Sequence, residues 1–357
     1  MKMRRILLFV FAFSLAVSAM AQPPANYYNN ANGLTGIQLK AALHNIIKGH
    51  TKISYTQIWN AFWSTDNKGN GIVWDMYSDR PGGTPPYTFR LGDDQCGSGG
   101  YQQEGDCYNR EHSWPQSWFN SDATAKTDLH HIFATDGYVN QRRSNYPFGE
   151  VRSATWTSQN GSKLGSCKTA GYTGTVFEPI DEYKGDLARA IMYMSVRYYG
   201  EDSNWGNSDM TTKSEIKPWA ISMLLRWNKL DPVSQKEIDR NNAIYSQYQH
   251  NRNPFVDHPE YADMIWDPHW SVSSTDQEQL LVYPNPVQRG EMLCLRCLNK
   301  IDQVVICDIT GKVVFRADVG GMDSADLVIS QELQKGLYFL RLFQEGRAVT
   351  NNKLLIN

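Results

Sequence analysis

The sequence has few cysteines, little net charge and few long apolar runs. Six cysteines in 357 residues are too few for a disulfide-built scaffold and leave room for one or two bridges. The formal net charge of −2 gives no basic excess that would indicate a nucleic-acid partner. Hydrophobic residues make up 41% of the chain, which excludes the disordered, collagen-like and polytopic membrane classes. The length is sufficient for two folded domains.

One apolar run stands at the N-terminus. Three basic residues precede an apolar stretch over 6–17, and Ala19-Met20-Ala21 supplies the small residues that a signal peptidase needs. The run is too short to span a bilayer comfortably, so an uncleaved anchor is the less favoured alternative. We therefore predict a signal peptide over 1–21, a secreted mature chain and no transmembrane segment in it.

The C-terminal part lacks tryptophan and histidine. All 11 Trp lie before residue 275, and no His follows that position. The polar stretch SVSSTDQEQ predicts a linker over 271–279. Short alternating apolar patterns separated by turns then predict a small all-β sandwich over 280–357. Because this tail has no aromatic cluster to stack on sugars, a substrate-binding module is the weaker alternative.

Three motifs characterise the tail more closely: Val282-Tyr283-Pro284-Asn285-Pro286-Val287, Gly336-Leu337-Tyr338 and Lys353-Leu354-Leu355-Ile356-Asn357. With them the tail resembles the type A sorting domain of the type IX secretion system. The resemblance implies that the type IX secretion machinery is a partner, and that the protein is extracellular or attached to the cell surface.

The central segment is more acidic than the whole chain. Removing the three basic residues of the signal peptide, and the nine basic and ten acidic residues from 275 onward, leaves 22–274 with a net charge of −4. Bulk electrostatics therefore does not indicate what this segment binds. Any functional site has to be found from local clusters.

One such cluster is the stretch over 104–145, which holds three of the eight His and shows no regular period before Asp136. Hydrolysis of a phosphodiester needs an activated water, a cation on the phosphate and positive groups nearby. Glu111 and His112 offer a carboxylate and a base side by side, and Asn140 offers an amide oxygen. Neighbours on a strand point to opposite faces, so we expect a bend or bulge to bring both to one metal.

Longer motifs carry a second resemblance. NREHSWPQSWF, over 109–119, and DLHHIFATDGYVNQRRSNYPFGE, over 128–150, resemble the endonuclease I family of secreted bacterial nucleases. The similarity extends over most of 27–267. It implies an α+β nuclease domain over 22–270, built around a ββα-metal (His-Me) finger with mainly helical surroundings.

The resemblance also implies roles for individual residues. His112 would be the general base, and Glu111 and Asn140 would hold one divalent metal, with Mg²⁺ expected and Mn²⁺ or Ca²⁺ as alternatives. Some relatives place a product-binding arginine between the histidine and the asparagine, whereas the segment 113–139 here contains no Arg. By proximity alone, the candidate substrate-binding residues are Arg110, Arg143 and Trp114, with Arg142 as a further cation.

Four further residues are candidates for support of the site. Asp128 and His130 are predicted to form a buried hydrogen-bonding support, because no cysteine or HExxH spacing favours zinc. Asp186 and Arg189 share a face of a predicted helix over 182–198. That face is either a solvated, salt-bridged surface or a second support of the metal site.

The cysteines suggest one disulfide next to this segment. A bridge between Cys96 and Cys107 would pin the strand that carries Glu111 and His112, with Cys167 as an alternative partner.

These features predict a secreted, monomeric, metal-dependent endonuclease that acts on DNA and/or RNA with little sequence preference. Two alternatives remain open. One is a secreted metallohydrolase of another phosphoester, and the other is a non-enzymatic surface binding protein, suggested by the abundant Trp and Tyr.

Overall fold

The computed structural model describes residues 23–267, 281–344 and 347–357, and the chain divides into two compact units, Met1–Trp270 and Ser271–Asn357. The predicted signal peptide and linker lie outside the described residues. No helix in the described ranges is long and apolar enough to cross a membrane.

Helices form most of the regular structure of the first unit. They are α1 (Gly36–Ile47), α2 (Gln57–Thr65), α3 (Gly137–Arg143), α4 (Lys184–Arg197), α5 (Pro218–Leu230), α6 (Gln235–Ala243), α7 (Pro254–Asp257) and α8 (Tyr261–Trp266). Their starts follow sequence signals. In α6, the Ser234 hydroxyl accepts a hydrogen bond from the Glu237 amide while the Glu237 carboxylate accepts one from the Ser234 amide, which satisfies two amides that a helix start leaves free.

The central helix, α4, is buried on every side. A helix that is buried all round must pair its charged side chains within the protein, because leaving a charge unpaired there is costly. Arg189 accordingly forms two hydrogen bonds with the Glu237 carboxylate, at 2.6 and 2.8 Å. The predicted helix is present, but the solvated-face interpretation of Asp186 and Arg189 was wrong, since both side chains are buried.

The strands of the first unit are short. They are β1 (Tyr108–His112), β2 (Ile132–Asp136), β3 (Val151–Thr157), β4 (Lys163–Cys167), β5 (Thr175–Glu178), β6 (Thr211–Thr212) and β7 (Glu215–Ile216). β1 and β2 form an antiparallel hairpin, and α3 follows β2 directly. The first unit therefore contains a strand–strand–helix segment at the place where the sequence concentrates its histidines and carboxylates.

The second unit consists of strands: β8 (Leu281–Tyr283), β9 (Met292–Cys307), β10 (Val313–Val328), β11 (Gly336–Gln344) and β12 (Arg347–Ile356). A strand-rich tail was predicted and is observed. Antiparallel pairing joins all five strands, in the order β10-β9-β11-β12 with β8 also paired to β9. Register shifts interrupt the long β9–β10 pair, and such bulges let a strand bend around its own apolar core.

Candidate active site

The hairpin presents two neighbouring functional side chains from a regular strand. The β1–β2 register runs without a shift from Tyr108↔Asp136 to His112↔Ile132. The expected bend or bulge is therefore not present within the strand. Glu111 and His112 instead leave opposite faces of β1, as successive strand residues do, and both line one cleft at the end of the strand.

One oxygen of the Glu111 carboxylate accepts two hydrogen bonds. Its Oε1 accepts hydrogen bonds from the Tyr77 hydroxyl at 2.8 Å and from Arg143 Nη1 at 3.0 Å. Burial raises the pKa of Glu111, and the Arg143 charge opposes this rise. Among the described residues no donor reaches Oε2, so one oxygen is fixed and the other is left for a further ligand.

His112 is held as a neutral base. Its Nε2–H donates to the Lys126 carbonyl at 3.0 Å, and a carbonyl can only accept, so Nδ1 carries the lone pair. The Gln116 amide approaches Nδ1 at 3.4 Å. Burial, followed by the nearby charge of His131, lowers the pKa of His112 to about 3. At neutral pH the imidazole is therefore unprotonated, which is the state a general base needs before it acts.

Asn140 lies on α3 and lines the same cleft as Glu111 and His112, a cavity of about 320 Å³. No cluster of three or more His, Cys, Asp or Glu suited to a metal occurs in the described part of the chain. A carboxylate oxygen and an amide oxygen are nevertheless hard ligands of the kind Mg²⁺ prefers, and Mg²⁺ keeps several waters. The unengaged Glu111 Oε2 together with the Asn140 amide therefore fits a magnesium-like ion.

Comparison with known proteins decides the family. The chain matches the family described as Endonuclease I over residues 35–260. The chain belongs to the endonuclease I family. Over 269 residues it is 40% identical to an extracellular ribonuclease of Bacillus amyloliquefaciens. The aligned region covers 71% of this chain and 83% of the relative.

Other relatives agree with this assignment. An extracellular ribonuclease of Bacillus subtilis is 38% identical over 267 residues, with 71% of this chain and 83% of the relative covered. An Endonuclease-1 of Buchnera aphidicola is 30% identical over 132 residues, with 37% of this chain and 46% of the relative covered. The protein is thus a nuclease of the endonuclease I family.

The tail has its own match. Residues 281–357 match the secretion system C-terminal sorting domain. As the motifs predicted, this member of the family carries a type IX sorting domain and is secreted.

In this endonuclease I protein the two candidate arginines differ in their surroundings. Arg110 is partly exposed in the cleft, where its guanidinium stacks on Tyr55. Arg143 is buried, and besides Glu111 it contacts the His112 carbonyl through Nη1 and the Ser113 carbonyl through Nη2, at 3.0 and 2.6 Å. Arg143 thus joins α3 to β1, and its two terminal nitrogens are occupied.

Trp114 does not line the cleft. Its side chain is fully buried and packs against Trp118 and Trp205, with ring centroids 5.9 and 5.7 Å away. The prediction that Trp114 contacts substrate was therefore wrong. An aromatic residue next to a catalytic motif carries no sequence signal that separates a cleft wall from a core position.

Asp128 is the centre of a buried hydrogen-bond network. Its Oδ2 accepts from the Tyr193 and Tyr198 hydroxyls at 2.9 and 3.0 Å, and its Oδ1 accepts from the His130 amide at 3.2 Å. The His130 ring lies 3.2 Å from the Asn251 carbonyl. These contacts tie the chain just before β2 to α4.

Asp186 and Arg189 lie elsewhere on α4. Arg189 contacts Glu237 and Asn228, and Asp186 lies 3.9 Å from Arg189. No contact between this pair and Glu111, His112 or Asn140 occurs among the described residues. The pair stabilises the packing of α4 and is not brought to the cleft.

A disulfide braces the start of the hairpin. Cys96 and Cys107 are bonded, as predicted, and Cys167 is a buried free thiol. The Cys107 carbonyl accepts the Gly137 amide at 2.9 Å, where α3 begins. A Cβ on Gly137 would lie 2.7 Å from the Cys96 sulfur, so only glycine fits there.

Sequence reasoning missed three residues that touch this site: Tyr55, Tyr77 and Lys126. Tyr77 reaches Glu111 from 34 positions away, and no short motif signals such a pairing. Lys126 acts partly through its backbone carbonyl, which any residue could supply.

Proposed function

We propose that this nuclease hydrolyses phosphodiester bonds of RNA and DNA with a divalent metal, and that β1, β2 and α3 form a His-Me finger. The observation that carries the proposal is the pairing of a neutral His112, whose Nδ1 lone pair faces the Gln116 side-chain amide at 3.4 Å, with a Glu111 carboxylate that has one unengaged oxygen. The names of the Bacillus and Buchnera relatives, extracellular ribonuclease and Endonuclease-1, support a nucleic-acid substrate.

In the proposed reaction, His112 Nδ1 removes a proton from a water molecule, which attacks the phosphorus. The Lys126 carbonyl keeps the imidazole in the required tautomer throughout. Glu111 and Asn140 would hold one metal ion, with Mg²⁺ expected, which supplies positive charge to the scissile phosphate and the leaving oxygen. Because water is the nucleophile, no ribose 2′-hydroxyl is needed, and both nucleic acids are substrates.

The test is a cleavage assay on plasmid DNA and total RNA, with EDTA and with a series of Mg²⁺, Mn²⁺ and Ca²⁺ concentrations. We expect metal-dependent endonucleolytic products from the parent and a loss of at least about 100-fold in His112→Ala. His258→Ala is the matched control, since this partly exposed histidine pairs with Glu260 outside the cleft. Cleavage by His112→Ala at the parental rate would overturn the assigned base.

The same assay separates the alternatives. Turnover of a small phosphodiester with intact plasmid and RNA would favour a metallohydrolase of another phosphoester. Binding without turnover in every metal would favour a surface binding protein.

A further inference from the structure

Two cations share one aromatic ring beside the proposed base. The Arg110 guanidinium carbon lies 3.7 Å from the Tyr55 ring centroid, and Lys126 Nζ lies 5.0 Å from it. The Tyr55 ring itself is stacked on the His112 imidazole, with centroids 6.1 Å apart and planes inclined by 22°. Both positive groups therefore contact a ring that is itself stacked on the proposed base.

Arg110 is held in place by two aromatic rings, and no carboxylate of the described residues forms an ion pair with it. Its guanidinium lies between the Tyr55 ring and the Trp59 ring, whose centroid is 4.4 Å away, and Nη1 donates to the Tyr55 carbonyl at 3.0 Å. Its Nε has no hydrogen-bond partner in the part of the chain that the structure describes. The rings fix the cation at little further entropic cost, because a stacked planar guanidinium has few alternative positions.

Lys126 lies at the site with both its backbone and its side chain. Its backbone carbonyl holds His112, whereas its ammonium lies over the Tyr55 ring and makes no hydrogen bond or ion pair with any described residue. The side chain is only partly exposed. Arg110 and Lys126 are both partly exposed, and neither forms an ion pair with a carboxylate of the described residues. They therefore form a local positive region that a bound anion would neutralise.

We propose that Lys126 and Arg110, positioned by Tyr55, bind a backbone phosphate of the nucleic-acid strand adjacent to the phosphate that is cleaved. This proposal rests on the proposed function, because it presupposes a nucleic-acid strand in the cleft. The contact is to a phosphate and not to a base edge, so it adds affinity for any sequence and for both RNA and DNA. Lys126 lies within the segment 113–139, which contains no arginine, so its ammonium supplies a positive charge from that segment.

Lys126→Ala tests the proposal cleanly, because it removes the ammonium and leaves the carbonyl that holds His112. Binding is measured in EDTA, without turnover, by fluorescence anisotropy of a labelled single-stranded oligonucleotide over a series of salt concentrations. We expect binding about fivefold weaker than that of the parent, and a salt dependence of log Kd shallower by about 0.7 for the one lost phosphate contact.

Two variants complete the design. Lys126→Arg keeps the charge and should restore most of the affinity and the salt dependence. Lys48→Ala removes an exposed lysine at the end of α1, outside the cleft, and should bind like the parent. Melting temperatures of all variants show whether each is folded.

The outcomes separate this inference from the proposed function. A parent that cleaves, combined with a folded Lys126→Ala of parental affinity and parental salt dependence, overturns the phosphate subsite alone. A parent that neither binds nor cleaves nucleic acid overturns both. An equal loss in Lys126→Ala and Lys48→Ala overturns the subsite, because the effect is then only one of overall charge.

Discussion

Arg143 Nη1 lies 3.0 Å from Glu111 Oε1, and both side chains are almost completely buried. The pair joins α3, which carries Asn140, to β1, which carries His112. The distance between the two proposed metal ligands is therefore set by a charge-assisted hydrogen bond between the elements that bear them.

Arg143→Met should lower the free energy of unfolding by about 3 kcal/mol, because it leaves the buried Glu111 carboxylate without its cation. Urea denaturation of both proteins measures this. The double variant Arg143→Met/Glu111→Gln should recover much of the loss, since an amide needs no counter-charge. Equal stability of Arg143→Met and the parent would show that the pair contributes nothing.

Tyr77→Phe should weaken metal binding by about 10-fold, because partners that orient a ligating carboxylate usually matter to that extent. Titration calorimetry with Mn²⁺ in the absence of substrate measures the affinity, and saturating metal should restore cleavage. Tyr183→Phe is the matched control, since its buried hydroxyl donates to Asp79 at 2.7 Å, outside the cleft. An equal effect of both variants would contradict a specific role for Tyr77.

The acid limb of the pH–rate profile should report Glu111 and not His112. The base acts when neutral, and because its pKa is lowered to about 3, His112 remains active in mildly acidic solution. Glu111 binds metal when ionised, and burial raises its pKa, so it is protonated first as the pH falls. A higher Mg²⁺ concentration should therefore move the acid limb of kcat/KM to lower pH. An acid limb of kcat/KM near pH 6.5 that does not move with the Mg²⁺ concentration would contradict this, because it would indicate a histidine with an unshifted pKa.

Loss of the Cys96–Cys107 disulfide should destabilise the first unit. The bonded cysteines are 11 positions apart, and closing a loop of this length stabilises a protein by about 3 kcal/mol in the chain-entropy view. Cys96→Ser/Cys107→Ser should show a lower urea midpoint than the parent, and reductant should shift the parent in the same direction. Cys167→Ala, which removes a free thiol and keeps the bridge, should respond to reductant as the parent does. A parent that is equally stable with and without reductant would contradict this account.

The sequence was sufficient for the parts of the site that lie within the two motifs over 109–119 and 128–150. Glu111, His112 and Asn140 were predicted together, and the structure brings all three to one cleft. Roles that depend on contacts between residues far apart in the sequence could not be predicted in this way. Tyr77 and Tyr55 reach the hairpin from far upstream, and only the folded chain shows that they do.

The sequence also did not show which side chains are buried. The alternation of charge and apolar residues along α4 fits a surface helix as well as a central helix with internal ion pairs, and the structure shows the latter. Trp114 likewise has the same motif neighbours whether it faces a cleft or a core. In both cases the deciding quantity is what packs against the side chain, which local patterns do not contain.

The regular pairing of β1 with β2 has a consequence for how this protein can vary. Successive strand positions face opposite ways, so one residue added to or removed from β1 ahead of Glu111 would exchange the sides occupied by the carboxylate and the imidazole. Replacing Arg110 changes the contacts of one side chain, whereas a shift of β1 by one position moves both Glu111 and His112 out of place. Length in this strand is thus more tightly constrained than composition, and natural or engineered variants of the protein should differ there by substitution alone.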